Sequence, residues 1–121
     1  MSRPRKTKQR RTGDRGERRT AFYLMLHGYR ILERNYTFGH KEIDIIASKG
    51  SVIAFVEVKT RADMSVAPQA SVTEKKRYNV IQAAKGWCMQ NGAEGRIIRF
   101  DIAEVPVKGR INYIKNAFSG Q

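Results

Sequence analysis

The sequence predicts an α/β domain. A central mixed β-sheet is flanked by helices, in the order α, β, β, β, α, β, with a weaker strand last. Three observations lead there. Residues 42–47 (EIDIIA) and 52–60 (VIAFVEVKT) are β-rich runs separated by a short turn, Ser48-Lys49-Gly50-Ser51. Residues 74–91 carry Val80, Ala83, Ala84, Trp87 and Cys88 on one helical stripe. Strand-like segments lie on both sides of that helix, an order that places helices against a sheet.

Residues 1–12, MSRPRKTKQRRT, have no apolar periodicity and no acids, and read as a disordered basic arm. Residues 13–121 read as one domain, a size that suits a single core. The first helix is expected over residues 17–28, with Ala21, Leu24 and Met25 at helical spacing and Gly28 as a left-handed cap. Glu17 lies four residues before Ala21 and seven before Leu24, so it projects from the apolar side. It either favours the helix N-terminus through the dipole or reaches toward a site between helix and sheet.

Residues 30–37 read as the first strand, anchored by Ile31, Leu32 and Tyr36, and Phe38-Gly39-His40-Lys41 as the loop that follows. After the third strand comes an irregular loop over 61–72. Thr73 is a good N-cap for the long helix, which Asn91-Gly92 closes. Residues 96–105 alternate as a fourth strand and 110–115 offer a fifth.

Charge narrows the partners. The chain has 24 Lys and Arg against 11 Asp and Glu, a net of +13. Nine basic and two acidic residues fall within residues 1–20, so about half of the excess sits on one sixth of the chain. Such a field favours nucleic acid, and anionic membrane second. No apolar run approaches the ~20 residues of a membrane span. A single cysteine, Cys88, excludes an internal disulfide and a cysteine zinc site, and a reducing cytoplasm is the simplest setting. His27 and His40 lack metal-ligand spacing, no phosphate-cradling glycine loop is present, and Trp87 and Cys88 read as core. No exposed aromatic ladder of the single-strand-binding kind is evident.

The chemistry concentrates between Glu42 and Arg61. Asp44 interrupts the apolar strand Ile43-Asp44-Ile45-Ile46, and Glu57 and Lys59 interrupt Phe55-Val56-Glu57-Val58-Lys59. Burying such groups is costly unless they pair or hold a metal. Alternation puts Glu57 and Lys59 on one face with Ile53 and Phe55. A turn that pairs Ser48 with Ser51 sets Asp44 opposite Phe55, with Glu57 as its diagonal neighbour at ~7–8 Å. The same register sets Glu42 against Glu57, a like-charge pair that calls for a cation. Mg2+ (or Mn2+) suits two carboxylates and retained waters. Lys59 would orient or deprotonate a water, or neutralise a phosphate. A structural ion pair between Lys59 and a carboxylate is the alternative. Lys76, on the stripe of Val80 and Trp87, either reaches this polar site or snorkels to solvent, and snorkelling is the expected course. Lys75 and Arg77 read as a solvated, phosphate-facing surface.

These residues resemble the YraN-like family of small bacterial proteins, endonuclease-like members of the PD-(D/E)xK superfamily. The likeness runs from about Gly16 to Val105. It rests on Gly16-Glu17 opening a helix that ends near Gly28-Tyr29-Arg30-Ile31-Leu32, on Glu42-Ile43-Asp44-Ile45-Ile46-Ala47, and on Phe55-Val56-Glu57-Val58-Lys59-Thr60-Arg61. Val72-Thr73 with Lys76 and Arg99-Phe100-Asp101-Ile102 complete it. Lys41 departs from the glycine usual there. The resemblance implies a restriction endonuclease-like core shared with archaeal junction resolvases. It implies Asp44 and Glu57 as metal ligands, the Val58 carbonyl as a third, Lys59 as the catalytic lysine and Glu17 as an accessory acid.

The expected function is hydrolysis of DNA phosphodiester bonds, with branched or junction DNA as a candidate substrate, by a cytoplasmic protein; cutting a junction would need a symmetric homodimer, for which the sequence offers no evident surface. Its alternative is a non-catalytic module binding DNA or ribosome-associated RNA. Arg3, Arg5, Lys6, Lys8, Arg10 and Arg11 of the arm, with Arg61, Lys75, Lys76 and Arg77, are the expected nucleic-acid contacts.

Overall fold

Val52–Arg61 is rich in β-branched and aromatic residues, and it becomes the central strand of the sheet. The computed structural model describes residues 8–61 and 72–120, with side chains from residue 15 onward. Its elements are α1 (Lys8–Leu26), β1 (Arg30–Phe38), β2 (Lys41–Lys49), β3 (Val52–Arg61), α2 (Glu74–Asn91), β4 (Ile97–Pro106) and β5 (Asn112–Phe118). The sheet order is β1-β2-β3-β4-β5. β4 runs parallel to β3 and every other neighbouring pair is antiparallel, so the sheet is mixed as expected. The α2 crossover supplies the connection that a parallel pair needs.

Helix α1 starts well before the expected residue 17. Lys8, Arg10 and Arg11 belong to it, whereas Arg3, Arg5 and Lys6 of the expected arm lie outside the described residues. Its C-terminus matches the expectation. Gly28 has φ 87, its N–H donates to the Met25 carbonyl at 3.1 Å, and the Tyr29 N–H donates to the Leu24 carbonyl at 2.9 Å. Those two bonds form a Schellman cap, and Leu24 and Tyr29 lie in one apolar cluster as that cap favours. Helix α2 has the expected bounds. Thr73 Oγ1 accepts from the Lys76 N–H at 3.2 Å, and Gly92 ends the helix at φ 78.

Alternation in β3 divides the core in two. Ala54, Val56 and Val58 face Ala21 and Leu24 of α1, while Ile53 and Phe55 face Val80, Ala83 and Trp87 of α2. The β2–β3 hairpin corrects the expected register. Lys49 pairs with Val52 and Ser48 with Ile53, which leaves Gly50 and Ser51 as the turn. Glycine at the first turn position, here with φ 57, fits a two-residue hairpin. The shift is two residues, so faces are kept but partners change.

Candidate functional site

The ladder between β2 and β3 runs as far as Ile45 and Val56. Just past its end stand Asp44 on β2 and Glu57 on β3, close enough for the Asp44 charge to raise the Glu57 carboxyl. Asp44 does not face Phe55, which pairs with Ile46. Glu42 does not face Glu57 either; it pairs with Thr37 of β1 and is exposed.

Each carboxylate has a distinct environment. Asp44 Oδ2 accepts a 2.8 Å hydrogen bond from the Val58 N–H. Val58 thus meets the site through its amide. Burial pushes the Asp44 carboxyl above its ordinary range, against the pull of that hydrogen bond and of Lys76 and Lys59. Glu57 is only 4% exposed. Its Oε1 lies 3.6 Å from Lys76 Nζ and 3.8 Å from Lys59 Nζ. Its Oε2 is buried and has no hydrogen-bond partner. Burial, and then the neighbouring Asp44 charge, pushes Glu57 up to about 7, while the two lysines oppose the shift.

Lys76 was expected to snorkel. It reaches Glu57 because the Thr73 cap starts α2 near that residue, and a buried carboxylate costs less when a cation pairs with it. Both lysines remain about one-third exposed, so each keeps access to solvent.

Glu17 is buried, at 6% exposure. With the Asn35 amide oriented to donate, its nitrogen lies 3.0 and 2.9 Å from the two Glu17 oxygens. Asn35 has φ 54 and sits on β1 between Arg34 and Tyr36, which pair with Ile45 and Ile43 on either side of Asp44. Asn35 therefore links Glu17 to the strand neighbouring Asp44. Sequence reasoning missed this residue, although an asparagine inside RILERNYTF was a signal: it is a poor strand former that tolerates the left-handed region.

The other expected contacts divide. Lys75 is exposed. The Arg77 guanidinium lies 5.7 Å from the centroid of the Phe118 ring, packed against the protein and not simply solvated. Arg61 Nη1 donates to Glu104 Oε2 at 2.9 Å, and its side chain is 14% exposed. Arg61 thus neutralises a buried glutamate. Side chains of Lys8, Arg10 and Arg11 lie outside the described residues.

The donor set fits a small hard divalent cation. Two adjacent carboxylates are present, and one buried oxygen lacks a partner. Among the described residues, no three His, Cys, Asp or Glu side chains gather into a cage. Magnesium commonly takes one or two carboxylates and keeps its waters.

A model of the uncharacterised protein family UPF0102 matches residues 16–105. The chain belongs to UPF0102. That span matches the likeness read from the motifs. A UPF0102 protein of Chlorobium phaeobacteroides is 44% identical over 97 residues, covering 79% of this chain and 76% of its own. One from Alkaliphilus metalliredigens is 43% identical over 109 residues, covering 88% and 96%. Among solved structures, this UPF0102 chain is similar to Archaeoglobus fulgidus Hjc, a Holliday junction resolvase from an archaeal hyperthermophile. The TM-score is 0.55 at 18% identity, covering 85% of this chain and 71% of that one. At that identity the likeness establishes the shared fold, in which the sheet and the flanking α1 and α2 correspond to the architecture expected from sequence.

Proposed function

We propose that this protein is a metal-dependent endonuclease that hydrolyses phosphodiester bonds in DNA, with branched or junction DNA as its substrate class. The observation that carries the reading is the neighbouring carboxylates Asp44 and Glu57, with a buried, partnerless Glu57 oxygen and two lysines on the other oxygen. Asp44 and Glu57 would hold Mg2+ or Mn2+, with the Val58 carbonyl as a further ligand. The ion supplies Lewis-acid activation of a phosphate and a more acidic bound water. Lys59 would orient the attacking water and take or neutralise charge as it develops. Lys76 would neutralise the phosphate from the α2 side. Glu17, held by Asn35, would act as an accessory acid.

The fold of a junction resolvase supports the substrate class, and the net charge of +13 supports an anionic partner. No helix among the described residues is long and apolar enough to cross a membrane. A cytoplasmic setting suits the single Cys88. Cutting both strands of a symmetric junction requires two copies related by a two-fold axis.

A second reading is a nucleic-acid-binding module without catalysis. It is favoured by the same ion pairs, because Lys59 and Lys76 already neutralise Glu57 without a metal. Cleavage of linear, nicked, flapped and four-way-junction DNA, with magnesium or manganese, separates the two. The endonuclease reading expects cutting of at least one branched substrate and a loss of ~100-fold or more in Lys59→Ala. Binding to every substrate without cleavage selects the module. Equal nicking by Lys59→Ala marks a contaminant and removes the support for catalysis.

A further inference from the structure

A groove of about 590 Å³ lies on the outer side of α1, against the turn between β4 and β5. Its lining includes Arg19, Phe22, Tyr23 and Leu26 of α1, His27 just past the end of α1, and Arg110 beyond β4. The groove is distinct from the Asp44–Glu57 site, which Lys76 of α2 reaches.

The groove has two unusual properties. First, its helix leaves large apolar side chains in water: Phe22 is 60% exposed and Leu26 69%. Residues 15, 19, 22 and 26 fall on one helical stripe, so Arg15 and Arg19 continue directly into Phe22 and Leu26. A contiguous apolar surface bordered by charge marks a binding site more often than chance. Second, three rings are already arranged as a ladder. Tyr113 stacks on Tyr23 with centroids 5.5 Å apart, and Tyr23 stacks on His27 at 4.1 Å and 28°. The His27 imidazole is the outermost ring, exposed, and fixed by its 2.7 Å hydrogen bond with the Tyr23 carbonyl. The floor is rigid as well, because Arg19 donates to the carbonyls of Pro106 and Gly109 at 2.8 and 2.7 Å and ties the β4–β5 turn to the helix.

We propose that this groove is a binding site for an unpaired nucleobase of a single-stranded nucleic-acid segment. Charge complementarity selects that occupant. The charged side chains lining the groove are the basic Arg19 and Arg110, and Arg15, Arg18 and Lys108 stand exposed near by. A ring ladder with an open end and a cationic border is the chemistry that holds single strands: the base stacks, and the arginines take the flanking phosphates. An acidic peptide would match the arginines but leave the ring ladder unused. The inference rests on the nucleic-acid reading of the protein, and not on cleavage. It extends that reading to substrates with a single-stranded stretch beside the duplex.

The test uses the full chain with three DNA ligands carrying one 2-aminopurine: a single strand, a duplex and a flap with an unpaired arm. Stacking on His27 or Phe22 quenches the 2-aminopurine in the single strand and in the arm. Phe22→Ala and His27→Ala, both at exposed positions, should each weaken single-strand binding about tenfold and relieve the quenching. They should leave duplex affinity and the magnesium-induced rise in Tm unchanged. Arg110→Gln should weaken single-strand binding with less effect on quenching. Unchanged single-strand affinity and quenching in both aromatic variants would overturn the proposal. So would a wild-type dimer that Phe22→Ala converts to monomer in sedimentation, because a second copy would then cover the groove. Duplex or flap binding without single-strand binding removes this site alone. Failure to bind any of the three ligands removes the nucleic-acid reading beneath it.

Discussion

Glu57 is where the fold and the proposed chemistry pull in opposite directions. Its folded pKa, about 7, lies above the 4.5 of an ordinary glutamate because burial and Asp44 both penalise the charge. A folded value above the unfolded one means that the native state binds the extra proton between the two. The neutral form therefore contributes stability that is fully present below 4.5 and is lost as pH rises through 7. The difference is on the order of 3 kcal/mol, at 1.36 kcal/mol per unit. Asp44 shifts in the same direction, also by burial. Without divalent ions, Tm should fall from pH 5 to pH 8. Glu57→Gln, which keeps the shape without the charge, should flatten that fall. Magnesium should raise Tm of the natural protein more at pH 8 than at pH 5, since the ion competes with the proton. Thermal melts at both pH values check this; parallel profiles for the natural and Gln proteins would remove Glu57 as the source. Asp44→Asn retains an oxygen that can accept from the Val58 N–H. It should keep the fold and lose most of the magnesium-induced rise, so a full rise in that variant would take Asp44 out of the metal site.

The helix ends and the hairpin decide where these residues stand. Thr73 caps α2 three residues before Lys76, so the cap also sets the point from which Lys76 reaches Glu57. Thr73→Ala should reduce stability by about 1 kcal/mol in denaturant unfolding. Gly28 holds φ 87 in the Schellman cap of α1, where any side chain is strained. Gly28→Ala should destabilise by ~1 kcal/mol or more, and a smaller loss would mean that the turn relaxes. Both caps were legible because their residue types have one dominant structural use. The face shared by Glu57, Lys59, Ile53 and Phe55 was legible for the same reason, since strand alternation admits no other grouping. The hairpin partners were not. Lys49-Gly50 and Gly50-Ser51 are both acceptable two-residue turns by composition, and only the packed sheet selects the second. The error was even in number, so the residues of the ladder kept their faces while their partners changed, and Phe55 faces Ile46 and not Asp44. The inward turn of Lys76 and the Glu17–Asn35 contact depend on how α1 and α2 approach the sheet, which no local pattern encodes.

At the scale of the whole molecule, charge is distributed between two kinds of role. Arg61 and Arg99 are bound to the buried acids Glu104 and Asp101, and Asp101 also accepts from Tyr113 at 2.6 Å. These arginines stabilise the sheet, and counting them as phosphate contacts overstates the binding surface. The long-range field must come from exposed groups, among them Lys75, Lys108, Arg110, Arg15 and Arg18. The sequence adds Arg3, Arg5 and Lys6 ahead of α1. Because α1 begins at Lys8, a deletion that removes residues 1–12 would also cut into the helix and confuse two effects. Removing residues 1–7 separates them: it takes away three basic residues and leaves α1 whole. Each phosphate neutralised releases about 0.9 counterion from duplex DNA. If all three side chains contact phosphates, the slope of log K against log salt should become shallower by about 3. Duplex affinity should fall most at low salt, while Tm and its magnesium dependence stay unchanged. Anisotropy titrations across salt concentrations measure the slope directly. An unchanged slope would show that residues 1–7 add charge without touching DNA, and would leave the folded surface of α1, α2 and the β4–β5 turn as the whole electrostatic footprint.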